Sequence, residues 1–173
     1  MKICILGSGN VAHHIGKALL KAGHNIVQVY SRNKVTSKAV AKRCKANAIV
    51  DIQELITNAD LYLLTVSDDA IEKVSKSIPF SLSQKQMIAH TAGSVSIEVL
   101  SSTGEHYGSF YPLQTFSKSR RLSFNKIPMC IHGSDDYIAK KMIALAKTIS
   151  SDVRQIDDET RKEIHLSAVL ACN

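Results

Sequence analysis

The sequence predicts an α/β fold, a doubly wound and mostly parallel sheet followed by the start of a helical C-terminal domain. Three observations carry that prediction. Short apolar runs alternate with amphipathic stretches, the pattern of right-handed βαβ crossovers that cover both faces of a sheet. Gly7 and Gly9 stand directly after the first apolar run. The last stretch, from residue 157, repeats its apolar residues at helical spacing with no strand after it.

The elements follow in order. Residues 2–6 form an apolar run ended by Gly7, as a buried parallel strand would be. Val11, Ile15, Ala18, Leu19 and Ala22 share one face of a helix over 10–22, which Gly23 stops. Residues 26–30 are the second strand, 33–44 the second helix and 48–50 a short strand, and Ile52, Leu55 and Ile56 fit a helical turn. The most strand-like run is 61–66, after which Ser67, Asp68 and Asp69 are expected to cap a helix near 70–77. A fifth strand at 86–90 leads into the loop 91–94 and a short helix through Ile97 and Leu100. Residues 107–111 and 129–131 are further strands, and 135–149 is a long amphipathic helix. The loop 117–125, with Lys118, Arg120 and Arg121, is the least ordered-looking part.

Asp157, Asp158 and Glu159 open the last helix, where the macrodipole favours acids. Ile164, Leu166, Val169 and Leu170 make it apolar enough to need a partner surface. The expected organisation is therefore a nucleotide-binding domain over 1–155 and the first helix of a helical domain over 156–173. The natural protein, or its assembly, is expected to continue beyond Asn173.

With 45% hydrophobic and 21% charged residues in 173, the composition is that of an ordinary globular protein. Its apolar runs fall far short of the roughly 20 residues that span a bilayer. The first few apolar residues are too short for a signal peptide. Cys4, Cys44, Cys130 and Cys172 are widely spaced, which fits core residues in a reducing cytoplasm better than a zinc site or a disulfide framework. No histidine grouping has metal-ligand spacing. Residues 1–50 hold nine Lys/Arg and no Asp/Glu, against 13 basic and 15 acidic residues in the remainder. That block suits a polyphosphate ligand, a nucleic acid or a solvated face, and charge alone does not choose. Nucleic acid is disfavoured because aromatic residues are not interleaved with the basic ones.

Gly7-Ser8-Gly9-Asn10-Val11-Ala12 fits G-x-G-x-x-A, with Gly16 four residues on. Gly7 permits the sharp exit from the strand, Gly9 lets a diphosphate approach the backbone, and Ala12 lets helix and strand pack closely. The free N–H groups at the helix start face the phosphates. Strand, turn, helix and second strand follow at the right distances, so the fold is Rossmann-type; the alternative is a tight βα turn that binds nothing. An NAD enzyme places an acid at the end of the second strand, but here stand Ser31, Arg32 and Asn33, then Lys34. Arg32 suits a 2′-phosphate through its planar fork, with Ser31 and Asn33 adding neutral hydrogen bonds, which favours NADP(H).

Active sites of open α/β sheets lie beyond the carboxyl ends of the strands. Thr65, Val66 and Ser67 are expected along the nicotinamide ribose, and Thr91, Ala92, Gly93 and Gln114 around a small-molecule substrate. His90 stands where a proton donor would be useful, although a lone histidine is more often structural. His165 lies about two turns before Asn173 on one helix face, a pair able to polarise a carbonyl or imine, or equally polar residues of an interface.

The glycine turn, Tyr30-Ser31-Arg32, His90-Thr91-Ala92-Gly93-Ser94, Tyr111-Pro112-Leu113-Gln114-Thr115-Phe116 and His165-Leu166-Ser167-Ala168-Val169 together resemble one family. It is the group of bacterial Rossmann-like NADP-dependent oxidoreductases with a C-terminal domain of unknown function, related to pyrroline-5-carboxylate reductase and deazaflavin-dependent NADP oxidoreductases. The resemblance implies an NADP-binding domain followed by an all-helical domain that dimerises and closes the active site. Some relatives are proposed as ketopantoate reductases. Related β-hydroxyacid dehydrogenases keep catalytic polar residues on the first long helix after the Rossmann domain. His165 and Asn173 sit in a matching place, without the usual lysine. The expected function is an NADPH-dependent reductase of a small carbonyl or imine compound, with a non-catalytic NADP(H)-binding sensor or interaction module as the alternative.

Overall fold

The computed structural model describes residues 1–119 and 122–172, with no side-chain description for Cys172. The expectations on Arg120, Arg121 and Asn173 therefore fall outside the described residues. Eight strands form one sheet in the order β3-β2-β1-β4-β5-β6-β7-β8. They are β1 (Lys2–Leu6), β2 (Asn25–Tyr30), β3 (Asn47–Ile49), β4 (Leu61–Leu64), β5 (Met87–His90), β6 (Tyr107–Pro112), β7 (Met129–Gly133) and β8 (Val153–Gln155). The helices are α1 (Asn10–Lys21), α2 (Lys34–Cys44), α3 (Ile71–Lys76), α4 (Asp136–Lys147) and α5 (Asp158–Cys172).

The first six strands are parallel, and the chain reverses direction across the sheet between β1 and β4. That order is the doubly wound arrangement whose switch point receives a dinucleotide. Alternation along the central strands divides the core. Ile3, Ile5, Leu61, Leu63 and Ala89 pack with Ile15, Leu19, Val40 and Met142 of α1, α2 and α4. Cys4, Leu6, Tyr62, Leu64 and Ile88 face the other way, onto Ile71, Ile78 and Leu100. A strand buried on both faces has no polar side, so β1 and β4 read as unbroken apolar runs. Cys4, Cys44 and Cys130 are free thiols in this core.

The mostly parallel sheet is as expected. Its antiparallel pair is β6 with β7, whose connection carries no α-helix among the described residues, and only a parallel return needs a crossover. Two local details differ from expectation. β8 was not foreseen. It is three residues long, with only Val153 apolar, so it carries no periodic signal. Ser67 and its neighbours do not cap α3 through side chains; a 3-10 turn at Asp68–Ala70 precedes the helix, and the Asp68 carboxylate accepts from Ser94 Oγ instead.

Among the described residues no helix is long and apolar enough to cross a membrane. The first turn of α5 is tied to the sheet, whereas Leu166, Val169 and Leu170 further along it are exposed, Leu170 at 70%.

Candidate functional site

The turn after β1 is shaped by contact with the end of β4. Gly7 has φ +129°, and a Cβ there would lie 2.5 Å from Thr65 Oγ1 and 2.7 Å from the Thr65 backbone. The two ends are fastened by Thr65 N–H donating to Leu6 O at 2.8 Å. Gly9 differs: its missing side chain would point into open space, with nothing within 4 Å. It precedes α1 without capping it by a side chain, so the first amides of the helix stay available to an anion. Ala12 is buried against the sheet and Val11 half-buried, while Gly16 brings α1 against Cys44, whose sulfur a Cβ would meet at 2.5 Å. The bare face of Gly9 and the uncapped first amides of α1 thus lie together at the switch point.

Two polar members of the turn have structural partners. Ser8 Oγ lies 2.6 Å from Thr36 Oγ1, and Asn10 Nδ2 donates to Phe116 O at 2.9 Å. Beyond β2, Asn33 Oδ1 accepts from the Val35 and Thr36 amides and so caps α2. That occupies the oxygen of Asn33 and leaves its amide nitrogen for a ligand. Ser31 Oγ accepts from Asn33 N–H at 3.3 Å. Arg32 is exposed and makes no hydrogen bond or ion pair among the described residues. It is the cation at the place where a ribose acid would otherwise stand.

Thr65 is buried, Val66 half-buried and Ser67 exposed at the end of β4. Thr91 Oγ1 and N–H both bond Leu64 O, at 3.2 and 3.1 Å, which fixes the loop after β5 to β4. His90 lies beneath that loop at 0% exposure. Its Nδ1 accepts from Ala92 N–H at 3.2 Å, and its Nε2 has no partner in hydrogen-bonding geometry. Burial first, and the Arg161 charge second, push the imidazole down to about 4. The ring is thus enclosed beneath the loop, with its Nδ1 bonded and its Nε2 unpaired among the described residues. Gln114 is exposed and turns its Oε1 back to accept from Thr115 N–H.

His165 is brought to the same edge from α5. Its ring lies against Gly93, where a Cβ would be 2.4 Å from Nδ1, so the loop must carry glycine there. Nδ1 is 2.8 Å from the Tyr111 hydroxyl at the end of β6. Burial, then Cys130 and Asp68, push that hydroxyl up to about 12. Tyr111, His165, Gly93 and Ala92 thus stand together, whereas Gln114 is turned outward.

What sequence reasoning missed is the clamp behind them. Arg161 is fully buried. Its Nε donates to Gly93 O at 3.3 Å, its Nη1 to Ser109 Oγ and Asp158 Oδ1 at 2.7 Å each, and its Nη2 to Val95 O. Asp158 also accepts from Ser96 Oγ and Ile97 N–H, and pairs with His132 Nδ1 at 3.0 Å. Burial alone would raise its carboxyl, but the bonds from Ser96, His132 and Ile97 and the Arg161 charge outweigh it and hold the group well below the usual carboxylate range. The i, i+3 spacing of Asp158 and Arg161 is visible in sequence, but nothing there shows that the pair turns inward.

The strand order and the glycine turn define a dinucleotide-binding domain of the NAD(P)-dependent oxidoreductase class. Residues 2–93 match the family described as NADP oxidoreductase, coenzyme F420-dependent, and the chain belongs to that family. NADP(H) is accordingly its cofactor. No curated protein matches the sequence. Among solved structures, the chain is similar to a Bacteroides fragilis protein named as an NADP oxidoreductase, BF3122, with a TM-score of 0.95 and 38% identity over 99% of this chain and 66% of that one. It is similar in fold to protein TM1727 of Thermotoga maritima, at TM-score 0.74 and 21% identity over 98% of this chain and 62% of that one. The 1-pyrroline-5-carboxylate reductase of Streptococcus pyogenes shares the fold at TM-score 0.67 and 19% identity, over 92% of this chain and 59% of that one. The chain thus spans about two thirds of the length of these proteins, or somewhat less.

Proposed function

We propose that this chain is the NADPH-binding part of a reductase acting on a small carbonyl or imine compound, with 2-keto acids such as ketopantoate as the first candidates. The observation that carries the reading is the open face of Gly9 at the switch point, with the unpartnered Arg32 one strand away. Residues Gly7 to Ala12 hold the diphosphate, and Ser31, Arg32 and the amide nitrogen of Asn33 hold the 2′-phosphate. Thr65, Val66 and Ser67 border the nicotinamide ribose, and Thr91, Ala92, Gly93 and Gln114 border the substrate.

When bound, NADPH supplies the hydride. The protein orients and polarises the acceptor, and solvent supplies the proton that completes the reduction. Tyr111 stays protonated at neutral pH, and when its hydroxyl donates to His165 Nδ1 the ring carries its proton on Nε2. That N–H donates a hydrogen bond to the substrate oxygen or nitrogen, with Asn173 as its companion. His90 acts as a positioning residue under the loop. Residues 1–155 are the cofactor domain, and α5 opens a helical domain through whose apolar face two copies pair in the cytoplasm.

The test is direct. NADPH is expected to raise the melting temperature more than NADH does, and Arg32→Ala to erase the difference; equal shifts in the unaltered protein would sink the 2′-phosphate assignment. Loss of NADPH absorbance with one member of a keto-acid and imine panel is the expected activity. Cofactor binding without oxidation by any of them would favour the sensor.

A further inference from the structure

A sizeable cavity lies away from the switch point. It is a groove of about 870 Å³ along the outer side of α1, and none of residues 7–9 or 31–33 lines it. His13, Lys17 and Lys21 are spaced by four on α1, as are His14, Ala18 and Ala22 beside them, so both rows run along the groove. Arg43, in the last turn of α2, and Lys118, in the loop after β6, face the same space. The groove therefore gathers cations from three separate segments, and no Asp or Glu lines it among the described residues. Phe124 and Ile149 give it an apolar floor, and Ser123, Asn125 and Thr148 add neutral hydrogen-bonding groups.

Holding Lys21, Arg43 and Lys118 around one space costs free energy in the empty protein, and an anion recovers it. The same field is felt by His13, whose imidazole is pushed down by burial first and then by Arg43, His14, Lys118 and Lys17. The wall that carries Lys118 is tied to α1 at two points. Asn10 Nδ2 donates to Phe116 O, and His14 Nε2 lies 2.8 Å from Ser117 O. The volume falls within the range of about 300–1,000 Å³ usual for small-molecule sites.

We infer that this groove is a second anion-binding site, separate from the cofactor crevice, for a small ligand carrying two or more phosphoryl groups. The spread of the cations over three segments matches several charged groups rather than one, and the apolar floor takes the body of the ligand. A nucleic acid is the weaker occupant, because Phe124 is the one Phe, Tyr or Trp ring among the described lining residues, too few for a run of stacked bases.

Titration calorimetry on the full chain at low salt, with tripolyphosphate as probe and saturating NADPH present, tests this. Binding with a Kd below about 1 mM is expected to persist beside NADPH. The double variant Arg43→Ser/Lys118→Ser, at two exposed positions, should weaken it by about tenfold or more while leaving the melting temperature and NADPH affinity unchanged. Arg32→Ala should do the reverse, weakening NADPH and sparing tripolyphosphate. Displacement of tripolyphosphate by NADPH, an unaltered affinity in the double variant, or no heat at all would each overturn the proposal. So would a single-stranded oligonucleotide that binds through Arg43 and Lys118 and that tripolyphosphate fails to displace.

Discussion

The turn over residues 7–12 and the clamp around Arg161 both shape the carboxyl edge of the sheet, but they are built on opposite principles. The turn is local and made by omission. Gly7 has no side chain because Thr65 fills the space, and Gly9 has none where the space is kept open. The clamp is distant in sequence and made by insertion: a guanidinium from α5 is driven among Gly93, Val95 and Ser109 and neutralised by Asp158. A turn of the first kind binds what comes to it. A clamp of the second kind binds the protein to itself.

Changes in the clamp should therefore appear in stability, and changes in the turn region should reach cofactor affinity as well. The largest effect is expected from Arg161→Met. Removing the buried guanidinium leaves Asp158 with only its bonds to Ser96, Ile97 and His132, and should cost about 3–5 kcal/mol, read as the urea midpoint. A variant as stable as the parent would show that the clamp is not what holds α5 to the sheet.

The next effect is pH-dependent and centres on His90, which is buried and feels the charges of Arg161, Asp158 and Asp68. In the folded protein it takes up a proton only near 4, against an ordinary 6.5. Between those values the unfolded chain binds more protons, so stability is fully present above 6.5 and falls as the pH drops toward 4. The loss amounts to at most about 3 kcal/mol. His90→Asn should flatten that slope in urea melts taken across the interval; an unchanged slope would place the titration elsewhere. The Asp158 contribution is separable, since its depressed carboxyl keeps its charge until the pH falls below the ordinary carboxylate range.

Gly7→Ala sharpens the comparison from the other side. A methyl group at φ +129° and 2.5 Å from Thr65 Oγ1 forces β1 and β4 apart locally. About 2 kcal/mol of stability should go, together with NADPH binding measured by fluorescence. The smallest change is expected from Arg32→Ala: an unaltered urea midpoint and NADPH affinity lower by about tenfold, the worth of a charge-assisted hydrogen bond. If Arg32→Ala instead lowered stability, the division between a ligand-binding turn and a self-binding clamp would fail.

The same contrast explains what the sequence made legible. The glycine turn, the strands β1 to β6 and the break at Gly23 are encoded by neighbours in the chain, through apolar runs and residues that permit a sharp turn. The open side of Gly9 and the exposed Arg32 follow from that local pattern. Arg161 did not declare itself, because an arginine in a mixed polar stretch normally faces water, and its inward turn depends on carbonyls more than sixty residues away. His132 had no visible role for the same reason, since its partner Asp158 comes from another element. His90 was legible as a residue at a strand end, but its depth under the loop was not. The basic block over residues 1–50 also divided in a way no one-dimensional count shows: Arg32 stands exposed beyond β2, while Lys17, Lys21 and Arg43 line the groove on α1.

The reversal at β7 has a geometric effect on everything after it. Because β7 and β8 run against the first six strands, the chain leaves the sheet heading for the edge opposite the crevice. A helix starting there has to climb back past β5 and β6, touching Ser109 on the way and reaching Tyr111 one turn later. Two short strands laid backwards are what deliver a late histidine to the rim that the earliest strands created.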